Sequence, residues 1–283
     1  MDLIYQIKAF ILGIVEGLTE FLPISSTGHL IIAGDLLNFD GPEVNTFSIA
    51  IQAGAIFAVC WFYRVKLWNI LTHLFEPGKD RQLAINIVVA FLPAAFLGVL
   101  LADVIERLLF NAVTVAAALV IGGLIIFWIE NIHAKRNYAP RVQTMDDMTI
   151  KDAFLVGCMQ CIAMIPGTSR SGSTIIGGLV LGLSRKAATE FSFFLAIPTI
   201  FGATAYSLAK IFLKVSNEHT FTWTTDMTMG FTVGFIVSFI SALIVVKWLL
   251  RYVSSNDFKA FGWYRIIFGL IILGTHYSGL VQW

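Results

Sequence analysis

Glu16 and Glu20 stand four residues apart in GIVEGLTEFLPISSTGH (13–29), a spacing that stacks both carboxylates on one helix face. In apolar surroundings such a pair is costly unless one member takes up a proton or a cation sits between them. The pair therefore suits a general base, a divalent-cation ligand set, or both. After Pro23 come Ser25, Ser26, Thr27 and His29, hydroxyls and an imidazole at the start of a second apolar run. A second stretch, GCMQCIAMIPGTSRSGST (157–174), has the same layout: Pro166 is followed by Thr168, Ser169, Arg170, Ser171, Ser173 and Thr174. Helix amino termini attract anions, and a guanidinium makes paired hydrogen bonds to phosphate oxygens. Two such termini converging on Arg170 suit a phosphate or diphosphate.

Blander roles compete at each position. The carboxylates could face water at a membrane rim, Arg170 could serve as a structural ion pair with Glu16 or Glu20, His29 could be structural, and the hydroxyls could be ordinary caps. Gln52, inside an apolar run, and Glu190, near the start of another, are secondary candidates. Cys158 and Cys161 form a C-x-x-C on one helix face without a second pair, a poor match to a metal or redox site.

The elements that carry these residues belong to a membrane. Hydrophobic residues make up 57% of the 283, charged residues 13%, and mean hydropathy is +0.80, far outside the range of a soluble domain. A net charge of +1 argues against nucleic acid as a partner. Unbroken apolar runs at 47–63, 84–102, 113–128, 187–212, 229–250 and 263–278 predict six transmembrane helices, and the start of the chain lacks the pattern of a cleaved signal peptide. The proline-broken pairs are too short or too polar to cross twice, and polar turns at membrane depth must be buried in protein or line a cavity. Each pair is therefore expected to be a re-entrant hairpin. Trp61, Trp68, Trp223 and Trp263 read as interfacial anchors.

Weak self-similarity at an offset of about 144 lays Gly13 on Gly157 and 89–91 on 233–235, while one residue less lays Pro23 on Pro166 and Ser26 on Ser169. The expected fold is all-α, an inverted-topology repeat with halves 1–143 and 144–283, each one re-entrant hairpin plus three spans. Lys and Arg support this orientation. Arg64, Lys66, Lys79, Arg81, Lys135, Arg136, Arg141, Lys151, Arg185, Lys186, Lys247, Arg251 and Lys259 collect on one side, leaving Lys8, Arg107, Lys210, Lys214 and Arg265 on the other and Arg170 for the interior. The first hairpin then enters from outside.

The segments EGLTEFLPISSTGH (16–29) and PGTSRSGST (166–174) resemble the two signature motifs of the undecaprenyl-diphosphate phosphatase family, also called bacitracin-resistance proteins. DDMT (146–149) and EFSF (190–193) fit the same pattern. The resemblance implies hydrolysis of a C55 lipid diphosphate to the monophosphate and phosphate, in a multi-pass protein of the bacterial inner membrane; the outward entry of the first hairpin favours a site towards the periplasm or cell exterior. It implies Glu16 and Glu20 in cation binding or base catalysis, with Mg2+ or Ca2+ as the cofactor. Ser26 is then the nucleophile, His29 an assisting acid or base, and Arg170 the diphosphate clamp. Ser25, Thr27, Thr168, Ser169, Ser171, Ser173 and Thr174 would be further oxygen partners. The chemistry of the residues leaves open whether Ser26 or a water attacks phosphorus. The expected partner is a polyprenyl diphosphate, with a homodimer as the candidate assembly. A polyprenyl-phosphate flippase or secondary transporter on the same repeat is the rival reading.

Overall fold

A computed structural model describes residues 2–39, 44–135, 139–215 and 224–280. Arg136 and Trp223 lie outside these residues, and the side chains of Lys210 and Lys214 are likewise not described. Among the described residues the chain is helical, with one isolated bridge between Val142 and Leu183. The first elbow is built by α1 (Leu3–Thr19) and α2 (Ser26–Leu36). Then come α3 (Val44–Phe62), a short α4 (Arg64–Thr72), α5 (Lys79–Leu109) and α6 (Ala112–Lys135). The second elbow is built by α7 (Ile150–Gln160), a 3-10 turn at Cys161–Met164 and α8 (Arg170–Val180). The remaining helices are α9 (Arg185–Val215), α10 (Thr225–Val253) and α11 (Lys259–Ser278).

Among the described residues five helices are long and apolar enough to cross a membrane: Val44–Phe62, Lys79–Leu101, Ala112–Lys135, Arg185–Ser207 and Thr225–Val253. The sixth expected span falls in α11, whose 20 residues carry Arg265 in mid-helix, and it is not among the five. Phe96, Val99, Trp128, Ile244 and Ile267 are exposed on these helices, as side chains facing lipid should be. The elbow helices are shorter, 17 residues for α1 and 11 each for α2, α7 and α8.

Each elbow is set by its flanks. Asp2 caps α1 by accepting from the Ile4 and Tyr5 amides, and Thr149 and Asp152 form a reciprocal capping box at the start of α7. Proline disfavours helical backbone in the residue before it. Accordingly α1 stops at Thr19, ahead of Pro23, and α7 tightens into the 3-10 turn ahead of Pro166. The connecting segments are tied by ion pairs, Lys66 with both Asp80 and Asp146, and Lys79 with Asp147. Hydrogen bonds from Lys79 and Thr144 hold the Asp147 carboxyl below its usual range.

Close backbone contacts seat both elbows. In the first, α1 packs on α10 and α3; in the second, α7 packs on α5. A Cβ on Gly13 would lie 2.6 Å from the Gly234 carbonyl oxygen, and one on Gly157 would overlap Ala90. Only glycine permits this approach. Gly157→Val is therefore expected to push α7 off α5 at a cost of about 1–3 kcal/mol or more. It should lower the thermal midpoint of the detergent-purified protein by several degrees. An unchanged midpoint would mean that this contact does not hold the elbow.

Candidate active site

Ser26 and Arg170 are each the first residue of a helix, α2 and α8. Each follows a serine with left-handed backbone, Ser25 and Ser169, both at φ 71°. Positive φ is strained for any residue but glycine and is kept where the surroundings enforce it, often at functional sites. The matched conformations pair Ser25 with Ser169 and Ser26 with Arg170. This differs by one residue from the alignment of the prolines, because the second elbow has one residue more between its proline and its helix.

The two elbows meet in one cleft, lined on one side by Glu20, Ser25, Ser26 and Thr27 and on the other by Ala163, Pro166, Gly167, Ser169 and Arg170. The Ser26 hydroxyl donates to Glu20 Oε2 at 2.6 Å, and Arg170 Nη2 reaches Glu20 Oε1 at 3.4 Å. A second bond, from Arg170 Nη1 to the Ser192 carbonyl at 3.1 Å, and the Phe21 ring 6.0 Å away fix the guanidinium, leaving its Nε without a partner. Glu20 thus bridges the hydroxyl and the cation across 150 residues of sequence.

Glu16 is fully buried, and neither of its oxygens has a hydrogen-bond partner. It lies within electrostatic reach of Glu20 and Arg170. A buried carboxyl with no donor needs a proton or a positive neighbour. An oxygen-preferring cation fits that requirement. Among the described residues, however, no group of three or more His, Cys, Asp or Glu side chains could hold a metal alone. Any such ion would complete its shell with oxygens from outside this carboxylate pair.

The remaining expected residues divide by position. Ser25 and Thr27 line the cleft, and the Ser25 side chain makes no capping bond to α2. Ser169 also lines it, and its hydroxyl caps α8 by accepting from the Gly172 amide at 3.1 Å. Ser171 donates to the Leu22 carbonyl at 2.7 Å, joining the elbows. Thr174 shares a 2.6 Å bond with Ser192, Ser173 donates to the Ser169 carbonyl, and Thr168 donates to the carbonyls of Ile162 and Ile165.

His29 does not line the cleft. Its Nδ1 pairs with the Ser25 carbonyl at 2.8 Å and its Nε2 with the Tyr264 hydroxyl at 2.6 Å, while Phe268 stacks on its ring. The carbonyl fixes the tautomer, so Nδ1 donates and Nε2 accepts. Glu190 lies against Tyr63, near Lys186, Lys66 and Asp146.

Three contributors have only faint sequence signals. Ser192 sits inside EFSF (190–193), and Tyr264 braces His29. Arg265, counted among the outward charges, is instead buried at 1% exposure. An arginine within an otherwise apolar helix was its signal.

A family model described as bacitracin resistance protein BacA matches residues 9–271. An undecaprenyl-diphosphatase of Herminiimonas arsenicoxydans is 54% identical over 283 residues, covering 100% of this chain and 99% of that one. One from Nitrosomonas europaea is also 54% identical with the same coverage. Undecaprenyl-diphosphatase 1 of Burkholderia thailandensis is 52% identical with both chains fully covered.

Proposed function

The chain belongs to the bacitracin resistance protein BacA family, and from that membership we propose that it is an integral membrane hydrolase that converts undecaprenyl diphosphate to undecaprenyl phosphate and inorganic phosphate. The activity returns the lipid carrier to envelope synthesis and confers resistance to bacitracin. The observation that carries the reading is the chain of contacts from the Ser26 hydroxyl through Glu20 to Arg170, joining a nucleophile, a base and a phosphate-binding cation in one cleft. Curated relatives bearing the diphosphatase name along their whole length disfavour the flippase reading.

In the proposed reaction Arg170 binds oxygens of the terminal phosphoryl group. Ser26 Oγ attacks phosphorus as its proton passes to Glu20 Oε2, and the bond to the bridging oxygen breaks, releasing undecaprenyl phosphate, which carries that proton away. A water then attacks the phosphoserine as its proton passes to Glu20, the bond from phosphorus to Ser26 Oγ breaks, Glu20 returns the proton to Oγ, and phosphate leaves. His29 supports this from outside, holding the Ser25 carbonyl and so the start of α2. Glu16 and Glu20 would hold the divalent cation, Mg2+ or Ca2+, which supplies charge neutralisation on the diphosphate.

The architecture we infer is an inverted repeat of two re-entrant hairpins and their spans. Supporting it, the Gly13 and Gly234 contact corresponds to the Gly157 and Ala90 contact by adding and subtracting 144, and Ser25 corresponds to Ser169 by the same step. The cleft is assigned to the periplasmic side of the inner membrane on the distribution of Lys and Arg.

The test is phosphate release from C55 diphosphate by purified protein, with and without chelator. Release in Mg2+ or Ca2+ that falls at least tenfold on chelation is expected. Unchanged turnover in chelator would remove the cation from Glu16 and Glu20, and absence of release would remove the activity.

A further inference from the structure

Arg265 is the most deeply buried cation described in this chain, and among the described residues it has no carboxylate partner. Its guanidinium donates instead to five backbone carbonyls. Nε reaches Leu119 at 3.3 Å, and Nη2 reaches Ala118 at 3.0 Å and Gly167 at 3.1 Å. Nη1 reaches Pro23 at 3.1 Å and Thr168 at 2.9 Å. All five N–H donors of the side chain are thereby used. The room is made by glycine: a Cβ on Gly122 would overlap Nη2.

The partners come from three elements that no local interaction would bring together. Ala118 and Leu119 belong to α6, Pro23 to the first elbow, and Gly167 and Thr168 to the second. The elbow carbonyls lie just upstream of Ser26 and Arg170. A position needing only to fill space would be served as well by an apolar side chain, since an unpaired buried charge is costly to desolvate. What the guanidinium adds is a planar set of donors that fixes two turns in one plane.

We propose that Arg265 is a positioning residue for hydrolysis, its guanidinium holding the carbonyls of Pro23, Gly167 and Thr168 together and so setting the spacing between Ser26 with Glu20 and Arg170. This inference rests on the reading of the cleft as the diphosphate site. It assigns to α11 a task distinct from crossing the bilayer, and it accounts for an arginine in the middle of that helix.

A displacement of about 1 Å in reacting groups costs on the order of 100-fold in rate. In detergent-purified, monodisperse enzyme, Arg265→Met should therefore lower kcat for undecaprenyl diphosphate about 100-fold with KM within threefold of wild type. Arg265→Lys, which keeps the charge and part of the donor set, should regain at least tenfold. Gly122→Ala, which keeps Arg265 but crowds its guanidinium, should lower kcat in the same direction and stands in if Arg265→Met does not fold. In an Arg170→Ala background, Arg265→Met should cost less than in wild type by at least tenfold, because there is no longer a clamp to align.

Wild-type kcat in folded Arg265→Met or Gly122→Ala overturns the proposal. So does a loss that only tracks the fraction of folded enzyme, or equal costs in both backgrounds, since these mark a structural role. Failure of the site reading looks different: wild-type protein that releases no phosphate, or Arg170→Ala with full activity, whatever Arg265 does.

Discussion

Arg170→Ala is expected to lower kcat/KM for undecaprenyl diphosphate by about a thousandfold, the order seen when a preorganised phosphate-binding or oxyanion donor is removed. Arg170 is held by Glu20 and by the Ser192 carbonyl, and its buried Nε has no hydrogen-bond partner among the described residues. Removing it leaves Glu16 and Glu20 side by side without their cation, so the variant both loses the clamp and gains repulsion towards an anionic head group. Arg170→Lys restores the charge but not the planar fork, and should stay at least about tenfold below wild type. The check is steady-state phosphate release over a range of lipid concentrations. Activity within tenfold of wild type in Arg170→Ala would make the contact with Glu20 a structural ion pair and nothing more.

Ser26→Ala separates the two chemical routes. If Ser26 Oγ attacks phosphorus, its removal should cost about 10⁴-fold or more in kcat, as for other nucleophiles that act as a unit with their base. Glu20→Gln should be comparably slow, and the double variant little worse than either single one, because the 2.6 Å bond makes them one device. Acid-quenched wild-type enzyme should carry phosphate on Ser26 when examined by mass spectrometry. If water attacks directly, Ser26→Ala keeps activity within tenfold of wild type and no phosphoserine is found.

Both predictions rest on side chains that the sequence marks out by type and spacing. Glu16 and Glu20 on one helix turn, and serines and Arg170 after prolines, are local patterns. The apolar runs that announce helices in a membrane are local too, since hydropathy and length act within a single segment. That Arg170 would come within reach of Glu20 could be guessed only from the resemblance of the halves. The contact joins residues 150 positions apart, and its geometry comes from packing.

The placement of His29 shows where local reading stops. His29 stands three residues after Ser26 on α2, a spacing that places neighbours on one side of a helix, yet its ring is taken up by Tyr264 and Phe268. Helical periodicity alone gives the angle between the two side chains but not which of them faces the cleft. Likewise Ser171, Ser173 and Thr174 share the hydroxyl chemistry of Ser169, yet their oxygens are engaged with Leu22, Ser169 and Ser192. A hydroxyl can cap, join or bind, and its neighbours decide.

By itself the sequence determined the membrane class, the helical composition, the two elbows and the residue types gathered at them, because each follows from the chemistry of a few consecutive side chains. Only the tertiary structure decided that Ser26 pairs with Glu20, that Ser25 and Ser169 share one strained conformation, and that Arg265 turns inward to hold both elbows. Those outcomes depend on how closely distant backbones approach at Gly13 and Gly157 and how closely the Arg265 guanidinium approaches Gly122, a packing property with no signature in any single segment.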